Sequence, residues 1–272
     1  MCPEFAPNHN DAADEFRNTV DLLGMPLLKS DTEGLLNHIF GAMAVGKGGW
    51  LITANLDFLR RFCHEPDMRA LYAEADLCVA DGMPLVWAAS LKGEPLPERI
   101  AGSTLLGALI ARAEQAQRRV YFLGGDPGAA DGAATTFKAR HPDLQIQTSA
   151  PWVTSPPTDK EVEQLVAELR SAAPDLLLVG LGSPKQEHLI RALRNHFPSM
   201  WMIGVGVSFS FASGQQQRAP MWMRKAGLEW THRLAQEPKR LAKRYLVHDL
   251  PFAFELFGRV LLERTKGGTT RP

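Results

Sequence analysis

Cysteine is scarce: 272 residues contain three, Cys2, Cys63 and Cys78. They are scattered, lack the close pairs of a zinc site and cannot all join in disulfides, which fits a reducing cytosol. No run approaches the ~20 consecutive apolar residues that a membrane-spanning helix needs. The first residues carry Glu4, Asp11, Asp14 and Glu15 without a long apolar core, which does not read as a secretory signal. Charge of one sign is also missing. Thirty basic residues balance thirty acidic ones, so composition gives no reason to expect a nucleic-acid partner. There is no GxSxG elbow, no Walker A lysine loop, no Asp-x-Asp pair and no His/Cys/Asp constellation with metal spacing. Neither a metal nor a resident cofactor is therefore expected.

What is present is an alternation of short apolar runs with helical segments. At least five predicted strands, among them Trp50–Ala54, Leu77–Ala80, Arg119–Leu123, Leu176–Val179 and Met200–Val207, are each followed by a predicted helix or a glycine turn. That pattern predicts an α/β fold with a doubly wound, mostly parallel, Rossmann-like sheet. The central stretch is Leu176–Glu187, LLLVGLGSPKQE. Its apolar run reads as a strand buried on both faces. Gly180 and Gly182 allow a tight turn, and Pro184 suits the first turn of a helix. The free N–H groups of that helix start suit a phosphate. Gln186 and Glu187 stand at the same strand end, where Glu187 can equally serve only the helix dipole.

Other strand ends carry polar residues. Thr53 and Asn55 follow one strand, and Asn55 can instead be the N-cap of the next helix. Asp81–Gly82 ends another, where Asp81 can act as a general base, bind a sugar hydroxyl or simply cap a helix. Arg99 can bind a phosphate or carboxylate, or pair with Glu98 or Glu94. Gly124 and Gly125 form a nucleotide-type or phosphate-type turn that lacks the full GxGxxG spacing of a dinucleotide fingerprint. Ser208–Pro220 reads as a loop.

The neutral total hides an asymmetry. From Arg218 to Pro272 there are twelve Lys and Arg against five Asp and Glu, a balance of +7, which leaves −7 for the preceding residues. Aromatic and basic residues interleave from Met221 onward. Three segments follow: residues 1–19, polar and mobile; 20–220, the α/β body; and 221–272, a basic amphipathic helical appendage suited to an anionic membrane surface or to docking on the body.

The set TANLDFL (53–59), ADLCVADGMPLVWAA (75–89), ERIAG (98–102), FLGG (122–125), VGLGSPKQE (179–187), GQQQRAP (214–220), GLEWTHRL (227–234) and EPKRLAKRY (237–245) resembles the WecG/TagA/CpsF family of bacterial glycosyltransferases. The match runs in the family's order from about residue 25 to about residue 248. The resemblance implies inverting, metal-independent transfer of a sugar from a UDP-sugar to a polyprenyl-pyrophosphate-linked saccharide. The sugar is an N-acetylmannosamine-type, glucose-type or uronic acid unit. The place is the cytoplasmic face of the bacterial plasma membrane, where the enzyme is peripheral, and a homo-oligomer is left open. On residues, the resemblance implies Asp81 as base, with Thr53, Asn55, Arg99 and Gln186 at the substrate. It also implies that the appendage brings arginines to the site, for which Arg218, Arg233, Arg240 and Arg244 are the candidates. Two positions depart from the family. Ser210 stands in GVGVSFSF where members often have Asp, and Ala150–Pro151–Trp152 replaces a usual Gly-aromatic pair. Two other classes of function stay open on the residues alone. One is an NAD-dependent Rossmann-type oxidoreductase or epimerase, and the other is a non-catalytic membrane-surface scaffold.

Overall fold

The computed structural model describes residues 18–267. Most of the segment expected to be mobile therefore lies outside the described residues, and Thr19 already belongs to a strand. Strands β1 (Thr19–Leu22) and β2 (Met25–Leu28) form an antiparallel hairpin. Its turn holds Leu23 and Gly24 at φ of 54° and 91°. Helix α1 (Thr32–Ala44) starts at Asp31, whose carboxylate accepts from Gly34 N.

A six-stranded sheet follows. Its strands are β3 (Gly49–Ala54), β4 (Leu77–Ala80), β5 (Val120–Gly124), β6 (Ile146–Ser149), β7 (Leu176–Gly180) and β8 (Trp201–Gly204), in the spatial order β4-β3-β8-β7-β5-β6. Every pairing is parallel. The connections are α2 (Leu56–His64) and α3 (Pro66–Tyr72) after β3, then α4 (Met83–Lys92) and α5 (Gly102–Gln115) after β4. Helices α6 (Ala129–Lys138), α7 (Asp159–Ala172), α8 (Lys185–Arg194) and α9 (Ser208–Ala212) follow β5 to β8 in turn. Helix α9 corrects the loop expected over Ser208–Pro220.

Two apolar layers cover the sheet, as two-sided burial requires. On one face Trp50, Ile52, Leu177 and Val179 pack against α2, α3, α4, α7 and α8. On the other, Leu51, Phe122, Leu176, Leu178 and Ile203 pack against α1, α5, α6 and α9. The helices after β3 and β7 thus lie on the first face, and those after β8 and β5 on the second. Adjacent strands whose connections part to opposite faces open a crevice at their carboxyl ends. Here that happens at each junction from β3 to β6, the β3–β8 and β7–β5 junctions among them.

The appendage begins with α10 (Met221–Lys225), α11 (Glu229–Gln236) and α12 (Pro238–Ala242). A π-helical turn, Lys243–Asp249, then leads into α13 (Leu250–Gly267). Phe252, Leu256 and Val260 of α13 are buried in the first apolar layer, beside α4. No described helix is long and apolar enough to cross a membrane.

Candidate functional site

The β3–β8 crevice gathers several of the polar strand ends. Asp81 N donates to Ala54 O at 2.7 Å, which pins Asp81 beside β3. Ile100 N donates to Ala80 O at 2.9 Å and brings the ERIAG segment back over the same strand end. Gly102 N, at the start of α5, then donates to Asp81 Oδ2 at 3.2 Å. Gly82 is the N-cap of α4 and no side chain caps that helix, so Asp81 is not engaged there. Asp81 keeps some surface open to solvent but is enclosed on most sides. Burial pushes its carboxyl up to about 7, against the opposing pull of the Gly102 N–H, Arg99 and Arg233.

Thr53 is buried at the tip of β3 and its hydroxyl donates to Gly204 O at 3.4 Å. A Cβ on Gly102 would meet Thr53 Oγ1 at 3.3 Å and Asp81 Oδ2 at 3.6 Å, so the hydroxyl and the carboxylate converge on one backbone position. Beyond Gly204 lies Gln186, buried, whose Oε1 accepts from Gly206 N at 3.1 Å and whose Nε2 donates to Glu187 Oε1 at 2.7 Å. A Cβ on Gly204 would come within 2.7 Å of Gln186 Cδ. Glu187 is 1% exposed. It therefore faces inward and is not a solvated charge complementing the dipole of α8. Burial raises its carboxyl above the usual range, opposed by the amide of Gln186 and the Ser183 hydroxyl. Ser183 also meets the Tyr72 hydroxyl at 3.3 Å. Pro184 takes the N-cap position, one residue before the expected helical turn.

The expected arginines divide into three places. Arg99 does not pair with Glu98 or Glu94. Arg99 Nη1 and Arg218 Nε reach the two oxygens of Glu229, at 3.3 and 3.4 Å. Arg218 Nη2 also donates to Thr104 Oγ1 at 3.0 Å. Arg233 lies close enough to Asp81 to act on its charge. Together these put Arg99, Arg218 and Arg233 around the Asp81 crevice. Arg240 is further out, paired with Glu237 and near enough to Asp126 for their charges to interact. Arg244 stands at the start of α2. Its Nη2 donates to Asn55 Oδ1 at 3.3 Å, and its Nε lies 3.6 Å from Asp57 and 3.5 Å from Asp249. Asn55 itself caps α2, accepting from Asp57 N and Phe58 N at 3.1 and 3.3 Å.

The β7–β5 crevice holds the glycine turns. Gly124, Gly125 and Gly182 all have positive φ, 85°, 96° and 73°, a backbone that L side chains rarely adopt. Gly124 lies against Leu181, and Gly125 against Phe209 and Ala129. Ser210 is buried nearby and donates to Asp126 Oδ2 at 2.7 Å. A carboxylate thus stands beside the position where the sequence departs from the resembled pattern, supplied from another turn. At the other departure, Trp152 is 83% exposed with Lys185 Nζ 4.4 Å above its ring.

Several site residues were not singled out from sequence. Glu229 lies within GLEWTHRL, yet its role as the bridge between Arg99 and Arg218 needs a contact across 130 positions. Asp57 and Tyr72 read as ordinary helix residues, and only burial beside Arg61 and Glu187 marks them. Among the described residues no group of three or more His, Cys, Asp or Glu could hold a metal ion.

The family model described as "Glycosyl transferase WecG/TagA/CpsF family" matches residues 20–266. The chain is similar to the N-acetylglucosaminyldiphosphoundecaprenol N-acetyl-beta-D-mannosaminyltransferase of Bacillus spizizenii, with 31% identity over 194 residues. That alignment covers 71% of this chain and 74% of the relative.

Proposed function

Because the chain belongs to the WecG/TagA/CpsF family of glycosyltransferases, we propose that it moves a sugar from a UDP-sugar to a polyprenyl-diphosphate-linked saccharide, with inversion and without a metal. The observation that carries this reading is the setting of Asp81. Burial brings its carboxyl up to about 7, Thr53, Gly102, Arg99 and Arg233 stand about it, and Arg218 joins them through Glu229. A general base works best with a pKa near the working pH. Asp81 takes the proton of the acceptor hydroxyl as that oxygen attacks the anomeric carbon. The bond from that carbon to the UDP oxygen breaks on the opposite face, and its electron pair leaves with the diphosphate. One displacement inverts the configuration. Arg99, Arg218 and Arg233 face the charge that develops on the leaving group, where preorganised donors are most effective. The glycine turns line the neighbouring crevice and suit the nucleotide half of the donor, with Gln186 held between, against Gly204 and Gly206.

The relative from Bacillus acts, by its name, on N-acetylglucosaminyldiphosphoundecaprenol. UDP-N-acetylmannosamine and that acceptor type are accordingly the first pair to test here. A lipid-linked acceptor is confined to a membrane surface. Leu246, Val247, Leu250 and Phe254 of the appendage are exposed amid basic residues, which suits reversible seating on the inner leaflet.

The test is a panel of UDP-sugars scored by thermal protection and by transfer to a soluble acceptor analogue. A ligand at about 100 times its Kd adds ~2.7 kcal/mol of stability. Protection by one UDP-sugar, with transfer of its sugar, is the expected result. No protection and no product across the panel would overturn the reading.

A further inference from the structure

Arg244 carries more contacts than an anchor needs. It comes from the π-helical turn of the appendage and meets two buried carboxylates, Asp57 of the body and Asp249 of its own turn. It also donates to Asn55 Oδ1. That oxygen already accepts from two backbone N–H groups of α2. Only the oxygen of an amide can accept from these donors, so the orientation of Asn55 is fixed by chemistry. Three donors hold its oxygen against α2 and Arg244. Its Nδ2 donates no hydrogen bond among the described residues, and Asn55 abuts the Asp81–Gly82 turn: a Cβ on Gly82 would lie 3.7 Å from Asn55 Cβ.

We propose that Arg244 is a positioning residue: docking of the appendage through Arg244 locks the Asn55 amide so that its NH2 is presented beside Asp81 as a donor to a sugar hydroxyl. This rests on the glycosyltransferase reading above. It assigns Arg244 to the enzyme's own amide instead of to the departing diphosphate. It also makes docking of the appendage and completion of the site a single event at one named atom.

The experiment is a double-mutant cycle in the full-length protein. Asn55→Asp keeps an oxygen to cap α2 but removes the donor. Arg244→Leu removes the lock. Each single variant is expected to lower kcat about tenfold with the donor KM little changed. In the Asn55→Asp background, Arg244→Leu is expected to lower the rate less than about twofold, because both act on one group. Should Arg244→Leu not yield folded protein, Arg244→Lys takes its place, with a weaker coupling in the same direction. Independent factors that multiply, or a wild-type rate for Arg244→Leu, overturn the proposal. Hydrogen exchange at the Asp57 and Phe58 amides reads the same lock without any activity. Faster exchange in folded Arg244→Leu supports it and unchanged exchange overturns it, even if the wild-type protein proves to transfer no sugar.

Discussion

At the residue scale Asp81 joins two demands that oppose each other. Its carboxyl has moved from an ordinary 3.8 to about 7. The folded protein thus holds the proton more tightly than the unfolded chain does. The resulting stability is fully present below the ordinary value and is lost as pH rises through about 7. Asp81→Asn should remove that loss. Its melting temperature is expected to exceed the wild type's at about pH 8 and to converge with it near pH 4, an advantage of at most ~4 kcal/mol. Turnover should fall by about 10²-fold or more in the same variant, and wild-type kcat/KM should decline below about pH 7 as the base is protonated. Thermal melts and a pH–rate profile check both halves. Activity is also expected to survive EDTA, and its restoration by magnesium or manganese after EDTA treatment would count against a metal-free site. The gathering of Thr53, Asn55, Asp81 and Gln186 at the strand ends was legible in the sequence because each stands at or soon after the tip of a buried strand, where the fold class alone says that side chains meet a ligand. Glu229 and Asp57 were not legible. Each takes its meaning from a guanidinium far along the chain, Arg99 or Arg244.

At the element scale, close approach decides what can change. Gly204 ends β8 with the Gln186 side chain against it. Gly204→Ala must push Gln186 off its bond to Gly206 N. The overpacking costs about 1–3 kcal/mol, and turnover is expected to fall at least tenfold because the displaced amide lines the crevice. Gly107, inside α5, has nothing within 4 Å of an added Cβ. Gly107→Ala should instead stabilise by roughly 0.5–1 kcal/mol with activity unchanged. Chemical denaturation and initial rates on the two variants separate these outcomes. The strands and longer helices were readable because apolar runs and helical periodicity persist over many residues. Two elements were harder. The hairpin turn places Leu23 at positive φ, where sequence reasoning looks for Asn or Asp before glycine. Helix α9 is five residues long, too short for a 3.6-residue period to declare itself.

At the scale of the whole molecule, the appendage reaches the crevice through Glu229 and Arg233 and packs α13 into the body. The interleaved basic and aromatic pattern was readable, but the split between its buried and exposed residues was not. Phe252, Leu256 and Val260 turn inward while Leu250, Phe254 and Leu262 turn outward. Burying each apolar side chain of this size contributes about 1.5–3 kcal/mol. Truncation before Leu250 should therefore lower the melting temperature as well as liposome binding. Substituting Phe254 and Val247 with Ser should weaken binding to anionic vesicles and leave the melting temperature in place. Binding should also fall with added salt, and co-sedimentation with anionic and neutral vesicles measures it. The strand order carries one more consequence, for a chain still being made. Strand β8 is the last of the described strands to be synthesised, yet it lies between β3 and β7. Until Trp201–Gly204 leaves the ribosome, the nascent sheet is two fragments, β4-β3 and β7-β5-β6, each with an apolar edge awaiting the same keystone. A ribosome stalled short of that point holds two open edges of the kind that recruit other chains, and the emergence of β8 closes both at once.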